Sequence, residues 1–512
     1  MVLQNFHIFR SIQRHRILLY IVNVKTSILL CENLINFLTD FFFKKDLSNG
    51  KKHAIILERA VVYPIRPQLY QNSMVITARY TPKNREFLMK KLIDFLQNSL
   101  TAFHATENAE RLLLSHGFCK LSETEDWQIT EGGKYFVTPA SALIAFTVGS
   151  LNDFSYKIIA SHTDSPALKL KENALQKSAL YATLNAETYG GGIWYSFFDR
   201  PLKIAGRVIR RENGRLYEET VTSPFTVTIP SVAIHQNRTA NEGFSVNAQV
   251  DLAPLLSLSG SVENAASVIE SIAGEGVISY DLFLVNADMP YSFGLNNEFL
   301  ASPRIDNLTS VYSSLEALVF DEERSGVCVA ACMDNEEVGS LTAQGADGDF
   351  LENVLRRIAY ALRFDDNEYY KALASSFLLS LDNAHAVHPN HPEKADPTNK
   401  TALGGGVVIK NHANRAYITD ALSSAVIKTV FENADVKHQI FFNRSDVRSG
   451  STLGAAALRH TGMLGADIGL AQLAMHSACE CFAKSDYDEL VKGLLAYYAS
   501  TIIRDDDGVT VR

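Results

Sequence analysis

The sequence is poor in cysteine and tryptophan, with six and two among 512 residues. Cys31, Cys119, Cys328, Cys332, Cys479 and Cys481 are scattered, which excludes a disulfide-stapled framework. Cys328 and Cys332 have three residues between them, but no second Cys/His pair completes a zinc knuckle. Both close pairs therefore read as small buried apolar residues. No apolar run reaches the roughly 18 residues that a membrane-spanning helix needs. The nearest approach, Ile17 to Val24, is broken by Lys25. Arg10, Arg14 and Arg16 precede it as in a signal peptide, but no small-x-small cleavage site follows. No membrane partner is expected, and a cytoplasmic location is. A basic excess is also missing: the formal net charge is −9, which speaks against a nucleic-acid partner. There is no internal repeat and no low-complexity segment.

What is present is an ordinary globular balance, 46% hydrophobic and 21% charged, on a chain too long for one core. Residues 1–73 stand apart. They hold 10 Lys+Arg against 4 Asp+Glu, a net of +6, which leaves −15 for the remainder. They show no sustained helical or strand period. We read them as translated from a start upstream of the natural one, with Met74 the candidate start. A genuine accessory or targeting extension is the alternative.

Folded-domain signals begin at Thr81-Pro82, a helix start. Phe87, Leu88, Lys91, Leu92, Phe95 and Leu96 follow at helical spacing. A second helix is predicted over Glu107 to His116, and strands over Ser141 to Val148 and Tyr156 to Ala160. From about Ala167 to Met289 the pattern changes to short alternating segments, Val221 to Ile229, Ser245 to Leu252 and Val277 to Val285, which predict strands. Beyond Pro303, helices (Ser310 to Phe320, Leu351 to Leu362) alternate with strands (Val327 to Met333, Phe377 to Leu381). The pattern implies an α/β domain in two parts, residues 74–166 and 292–512, with a β-rich unit over 167–291 inserted into it.

Five segments place metal-type ligands at a predicted strand end or loop, where open α/β sheets gather their sites. His162 offers an imidazole, and Asp164 can reach its other nitrogen. Asp306 precedes a helix and either caps it or bridges two cations. Glu336 and Glu337 follow the strand Val327 to Cys332. Two adjacent glutamates can divide their work, one binding metal and one left free as a base; a solvated acidic loop is the competing reading. Asp382 and His385 follow another strand. His388 and His391 beyond them, among prolines, read as surface loop. His476 follows an apolar stretch and is placed before a helix. Together these supply a bridging carboxylate, terminal ligands and an unbound base, the inventory of a two-metal hydrolase.

The segments Ser161 to Asp164, Ile305 to Asn307, Asp334 to Ser340, Asp382 to His385 and Met475 to Ser477 resemble the M18 metallopeptidases, the aspartyl aminopeptidase family. Ile234-His235, Ala402 to Lys410 and Gly450 to Gly454 match as well. The resemblance covers roughly Lys90 to the C-terminus. It implies a helix-covered mixed sheet of the di-zinc aminopeptidase type with an inserted β-rich dimerisation domain. It implies two divalent ions per subunit, zinc in the family. His162 and Asp382 then correspond to terminal ligands of one ion, Glu337 and His476 to those of the other, and Asp306 to the bridge. Glu336 corresponds to the general base and Asp164 to the residue that orients His162. His235, His385, Lys410 and Tyr417 match substrate-contacting positions. His235 would reach a neighbouring subunit's site, in a homo-oligomer that in the family is a dodecamer built from dimers.

The expected activity is removal of an N-terminal residue, acidic by resemblance, from peptides. Lys410, Arg444 and Arg448 are candidate partners for an acidic side chain, although without the resemblance Lys410 reads equally as a surface lysine. The competing functions are a related di-metal aminopeptidase or deacylase with neutral or basic preference, and a non-catalytic scaffold that kept the fold.

Overall fold

The apolar runs of the sequence pair into a nine-stranded mixed sheet in a computed structural model that describes residues 82–512, apart from residues 153 and 321–323. The expectations for residues 1–73 and the cap at Thr81 lie outside the described residues. The sheet order is Cys119–Lys120, Lys134–Val137, Leu143–Val148, Val327–Met333, Tyr156–His162, Phe377–Leu381, Leu464–Gly469, Val407–Lys410 and His438–Phe441. The four strands from Val327–Met333 to Leu464–Gly469 run parallel. Their neighbours Leu143–Val148 and Val407–Lys410 run antiparallel to them.

Three of these parallel strands, Val327–Met333, Tyr156–His162 and Phe377–Leu381, are buried at every position. That is the pattern of strands covered on both faces. Alternate side chains feed two cores. Ile159, Cys328 and Ala330 pack with the helices Ile305–Val319 and Lys484–Ala499. Ile158, Ala160 and Val329 pack with Phe350–Ala361 and Leu453–Thr461 on the other side.

Between Tyr156–His162 and Ile305–Val319 the chain builds a six-stranded antiparallel sheet. Its central strands are Leu202–Glu212, Val277–Asn286 and Ala167–Lys177. Leu168, Leu184, Ile204 and Leu284 form its core with Ile269 and Ile272 of the helix Ala265–Ala273. A third sheet of five short strands joins Tyr291–Phe293, Phe299–Ser302, Glu480–Ala483, Ala471–Leu473 and Ala384–His385.

Several expectations change. The strand from Tyr156 runs on through His162, and the second helix begins at Ala102. Ser245 to Leu252 forms turns: Asp251 Oδ2 accepts the Asn247 N–H at 2.7 Å and Asn247 Oδ1 that of Gln249 at 3.0 Å. These local bonds replace a strand ladder. Of Val221 to Ile229 the first two residues end a strand and Val227, Thr228 and Ile229 make isolated β-bridges, with Pro224, which lacks a ladder N–H, between them. Cys328 and Cys332 are buried as expected, but Cys479 and Cys481 are half-buried. Cys481 lies on the opposite strand face from the inward Glu480, and Cys479 stands just before that strand. Among the described residues no helix is long and apolar enough to cross a membrane.

Candidate metal centre

The parallel strands end side by side, and the candidate ligands stand at those ends. Met333, just before the Asp334–Glu337 segment, is the ladder partner of His162. Asp382 follows Leu381 and donates its N–H to the Ile468 carbonyl at 2.9 Å. Asp306 enters from the start of the buried helix Ile305–Val319. It is not that helix's cap: Arg304 holds the N-cap position, and Asp306 has non-helical φ −80° and ψ 109°. His476 occupies a left-handed turn, φ 65°, between two strands of the third sheet. A strand follows it, and the expected helix begins only at Lys484.

The side chains converge. His162 Nε2 lies 3.5 Å from Asp306 Oδ1 and 3.7 Å from Asp382 Oδ1. His476 Nε2 lies 3.6 Å from Asp306 Oδ2 and 3.4 Å from Glu337 Oε1. The two oxygens of Asp306 thus face different histidines. The Glu336 carboxylate makes no hydrogen bond or ion pair among the described residues.

So many buried carboxylates call for positive charge. Burial, reinforced by Asp382, Asp164 and Asp306, pushes the Glu336 carboxyl up to about 8. Burial and Asp306 hold Glu337 well above the carboxylate range. Burial opposes ionisation of Asp382, yet Lys410 and His162 hold it well below its ordinary value. Asp306 Oδ1 and Glu337 Oε1 are buried and accept no hydrogen bond. An unmatched buried charge costs several kcal/mol. Two such oxygens facing imidazole nitrogens are the donor set that suits zinc. His162, Asp306, Asp382, Glu337 and His476 are therefore the residues able to hold metal.

The supporting residues were less visible in the sequence. His162 Nδ1 faces Asp164, 3.3 Å from Oδ1 and 3.1 Å from its carbonyl. Asp164 also accepts the backbone N–H groups of Glu336 and Glu337, both at 3.1 Å. Tyr189, from the six-stranded sheet, donates to Asp164 Oδ2 at 2.8 Å and accepts from Asn335 Nδ2 at 2.9 Å. The glycines after Tyr189 complete the support. His476 Nδ1 lies 3.0 Å from the Gly191 carbonyl, which fixes its tautomer and leaves the Nε2 lone pair facing the carboxylates. Gly190 has φ 73°, and a Cβ there would meet Glu337 Cβ at 3.1 Å. The adjacent triplet, which reads as a sharp loop, is the one signal that could have located Tyr189.

Lys410 is not a surface lysine. It is 1% exposed, lies 3.5 Å from Asp382 Oδ2, and donates to the Asn383 carbonyl at 3.1 Å. Its ammonium sits 5.1 Å from the Tyr417 ring centre. His385 and Tyr417 both pack on Phe441, so these residues share the Asp382 side of the cluster. His235 is exposed in a turn and makes no hydrogen bond or ion pair with the cluster within one chain. Arg444 is held by Asp446, while Arg448, His388 and His391 are exposed.

The chain is similar to known proteins. A family model for aminopeptidase I zinc metalloproteases (M18) matches residues 95–498. A probable M18 family aminopeptidase 2 of Clostridium acetobutylicum is 42% identical over 431 residues, 81% of this chain and 99% of its own length. A protein of the same description from Ectopseudomonas mendocina is 39% identical over 430 residues, with the same coverage. The cryo-EM structure of the Ape4 and Nbr1 complex superposes with TM-score 0.77 at 34% identity, over 81% of this chain and 86% of that one. The mApe1 dodecamer of S. cerevisiae gives TM-score 0.69 at 25% identity, over 81% and 97%. The chain belongs to the M18 family and is an aminopeptidase, a zinc metalloprotease of the hydrolase class.

Proposed function

We propose that this aminopeptidase uses two zinc ions per subunit to remove an N-terminal acidic residue, Asp or Glu, from peptides. His162 and Asp382 would hold one ion, Glu337 and His476 the other, and Asp306 would serve both. The observation that carries this reading is Asp306, whose two oxygens face His162 and His476 at 3.5 and 3.6 Å. Such ions, when bound, acidify a coordinated water and polarise the scissile carbonyl.

The residues of the chain do the rest. Glu336, whose carboxylate makes no hydrogen bond or ion pair among the described residues, takes a proton from the attacking water and passes it to the leaving amine. Asp164 holds His162 in the tautomer that presents Nε2 to Asp306 and Asp382. Tyr417, or His235 from a neighbouring copy, donates toward the developing oxyanion. A carboxylate of the cluster takes the free α-amino group of the substrate, which restricts cleavage to the first peptide bond.

Lys410 supports the acidic preference, because its positive charge stands beside the cluster. One observation favours a second reading, a neutral preference: Lys410 is already engaged by Asp382 and the Asn383 carbonyl. We propose further that the chain forms a homo-oligomer, a dodecamer built from dimers, as the similar mApe1 is a dodecamer, and that residues 167–291 are the dimerisation unit between catalytic segments 74–166 and 292–512. Val232, Ile234, Phe244 and Val250 support this, since they leave that unit with exposed apolar surface around His235. The described cysteines are free, the pattern of a reducing compartment, and we assign the enzyme to the cytoplasm.

Chromogenic substrates bearing Asp, Glu, Leu and Lys, run beside elemental analysis, test the reading. Two zinc ions per subunit and faster release of Asp or Glu are expected. Faster release of Leu selects the second reading. One ion per subunit, or inertness of the metal-replete enzyme toward all four, contradicts the proposal.

A further inference from the structure

Glu480 is 2% exposed and sits on the third sheet, where a lone charge is out of place among Ala478, Cys479, Cys481 and Phe482. Its two oxygens are both used. Oε2 accepts the backbone N–H of Asp306 at 2.9 Å, and Oε1 accepts that of His476 at 2.6 Å. Gln472 Nε2 approaches Oε1 at 3.4 Å, and Gln472 Oε1 accepts from Asn383, the neighbour of Asp382. One carboxylate thus ties two ligand-bearing backbones together, and a buried amide chain leads from it to a third.

The ligands differ in what else holds them. His162 closes a central strand hydrogen-bonded on both sides, and Asp382 is tied to the Ile468 carbonyl. Sheet ladders fix these two. Asp306 and His476 lie instead in irregular backbone. Arg304, two residues before Asp306, is left-handed with φ 59°, and Ala474 and His476 have φ 57° and 65°. Left-handed non-glycine residues persist only where surroundings hold them. Glu480 holds both turns.

We infer that Glu480 is a positioning residue that sets the spacing of Asp306 and His476, and so governs affinity at the ion site formed by Glu337 and His476. The inference rests on the two-ion reading above. Glu480 touches neither substrate nor ion; it acts through the N–H groups of two ligands. Replacement by Gln turns one acceptor into an NH2 donor that faces an N–H donor. One of the two bonds is lost, and one turn is released. Loss of such outer support costs about 10–100-fold in metal affinity. The other site keeps His162 and Asp382 on sheet ladders and shares only Asp306, so its affinity should fall less.

The test uses the full chain, loaded with zinc and equilibrated against increasing concentrations of a competing chelator. Retained zinc per subunit is measured by elemental analysis, with far-UV circular dichroism to follow the fold. The native enzyme should release two ions in separable steps. Glu480→Gln should move one of the two steps to about 10–100-fold lower chelator activity and shift the other less. Glu480→Asp keeps both acceptors on an arm too short to span both N–H groups, and should shift the same step; it decides the matter if the Gln variant does not fold. Native release curves in the folded variants overturn the positioning role. Equal weakening of both ions overturns its selectivity. A single ion in the native enzyme overturns the two-ion reading itself, and with it the site that Glu480 is said to govern.

Discussion

The Asp164 carboxylate lies against the backbone of Glu337 and accepts its N–H at 3.1 Å. The neighbouring N–H of Glu336 is held in the same way. Asp164 therefore carries more than the orientation of His162. It shapes the turn that sends one glutamate toward His476 and leaves the other free.

Tyr189 should be felt through this turn. Tyr189→Phe removes the donor to Asp164 and the acceptor for Asn335. A hydrogen bond to a charged acceptor of about 1.4 kcal/mol converts to a roughly tenfold loss in kcat. Steady-state kinetics on the preferred substrate should show that loss with KM and zinc content little changed. An unchanged kcat contradicts the link.

His476 is predicted to matter for metal rather than for proton transfer. His476→Ala should lower bound zinc from two ions to about one per subunit, because the remaining donors fall short of tetrahedral coordination. Elemental analysis after dialysis measures this. Full stoichiometry contradicts its assignment as a ligand.

Acid should loosen the junction between the catalytic sheet and the six-stranded sheet. His104 bridges Thr101 and Thr222, both at 2.9 Å. Burial, with Arg304 and Arg111, lowers its imidazole from 6.5 to about 4. The folded chain then binds fewer protons than the unfolded chain between those values. The contribution is complete above the unfolded value and is lost as pH falls through the folded one. Urea unfolding should show the native chain losing its advantage over His104→Gln between about pH 7 and about pH 4. A constant difference contradicts the assignment.

Much of this architecture is legible in the residues. Val327 to Met333 is apolar throughout, Phe377 to Leu381 is apolar but for Ser380, and both are sharply bounded, so both strands stand where the sequence puts them. The ligand candidates follow such strands directly, which is why His162, Glu337 and Asp382 stand out. The third sheet is invisible because its strands are too short to show a period. Ser245 to Leu252 misleads because alternation says nothing about whether a partner strand exists. Tyr189 and Asn383 are isolated polar residues whose roles arise only when distant segments meet. Glu480 did leave a trace, a single charge at the head of a short apolar strand. Lys410 shows the reverse problem: a lysine in sequence looks solvent-bound, and only the fold encloses it.

The most direct test of the division of labour at Glu336 and Glu337 is zinc content and turnover measured together on Glu336→Gln. Two zinc ions per subunit are expected, with turnover lowered on the order of 10²–10⁴-fold, the range for a lost acid/base group. Near-native turnover, or loss of an ion, would contradict it.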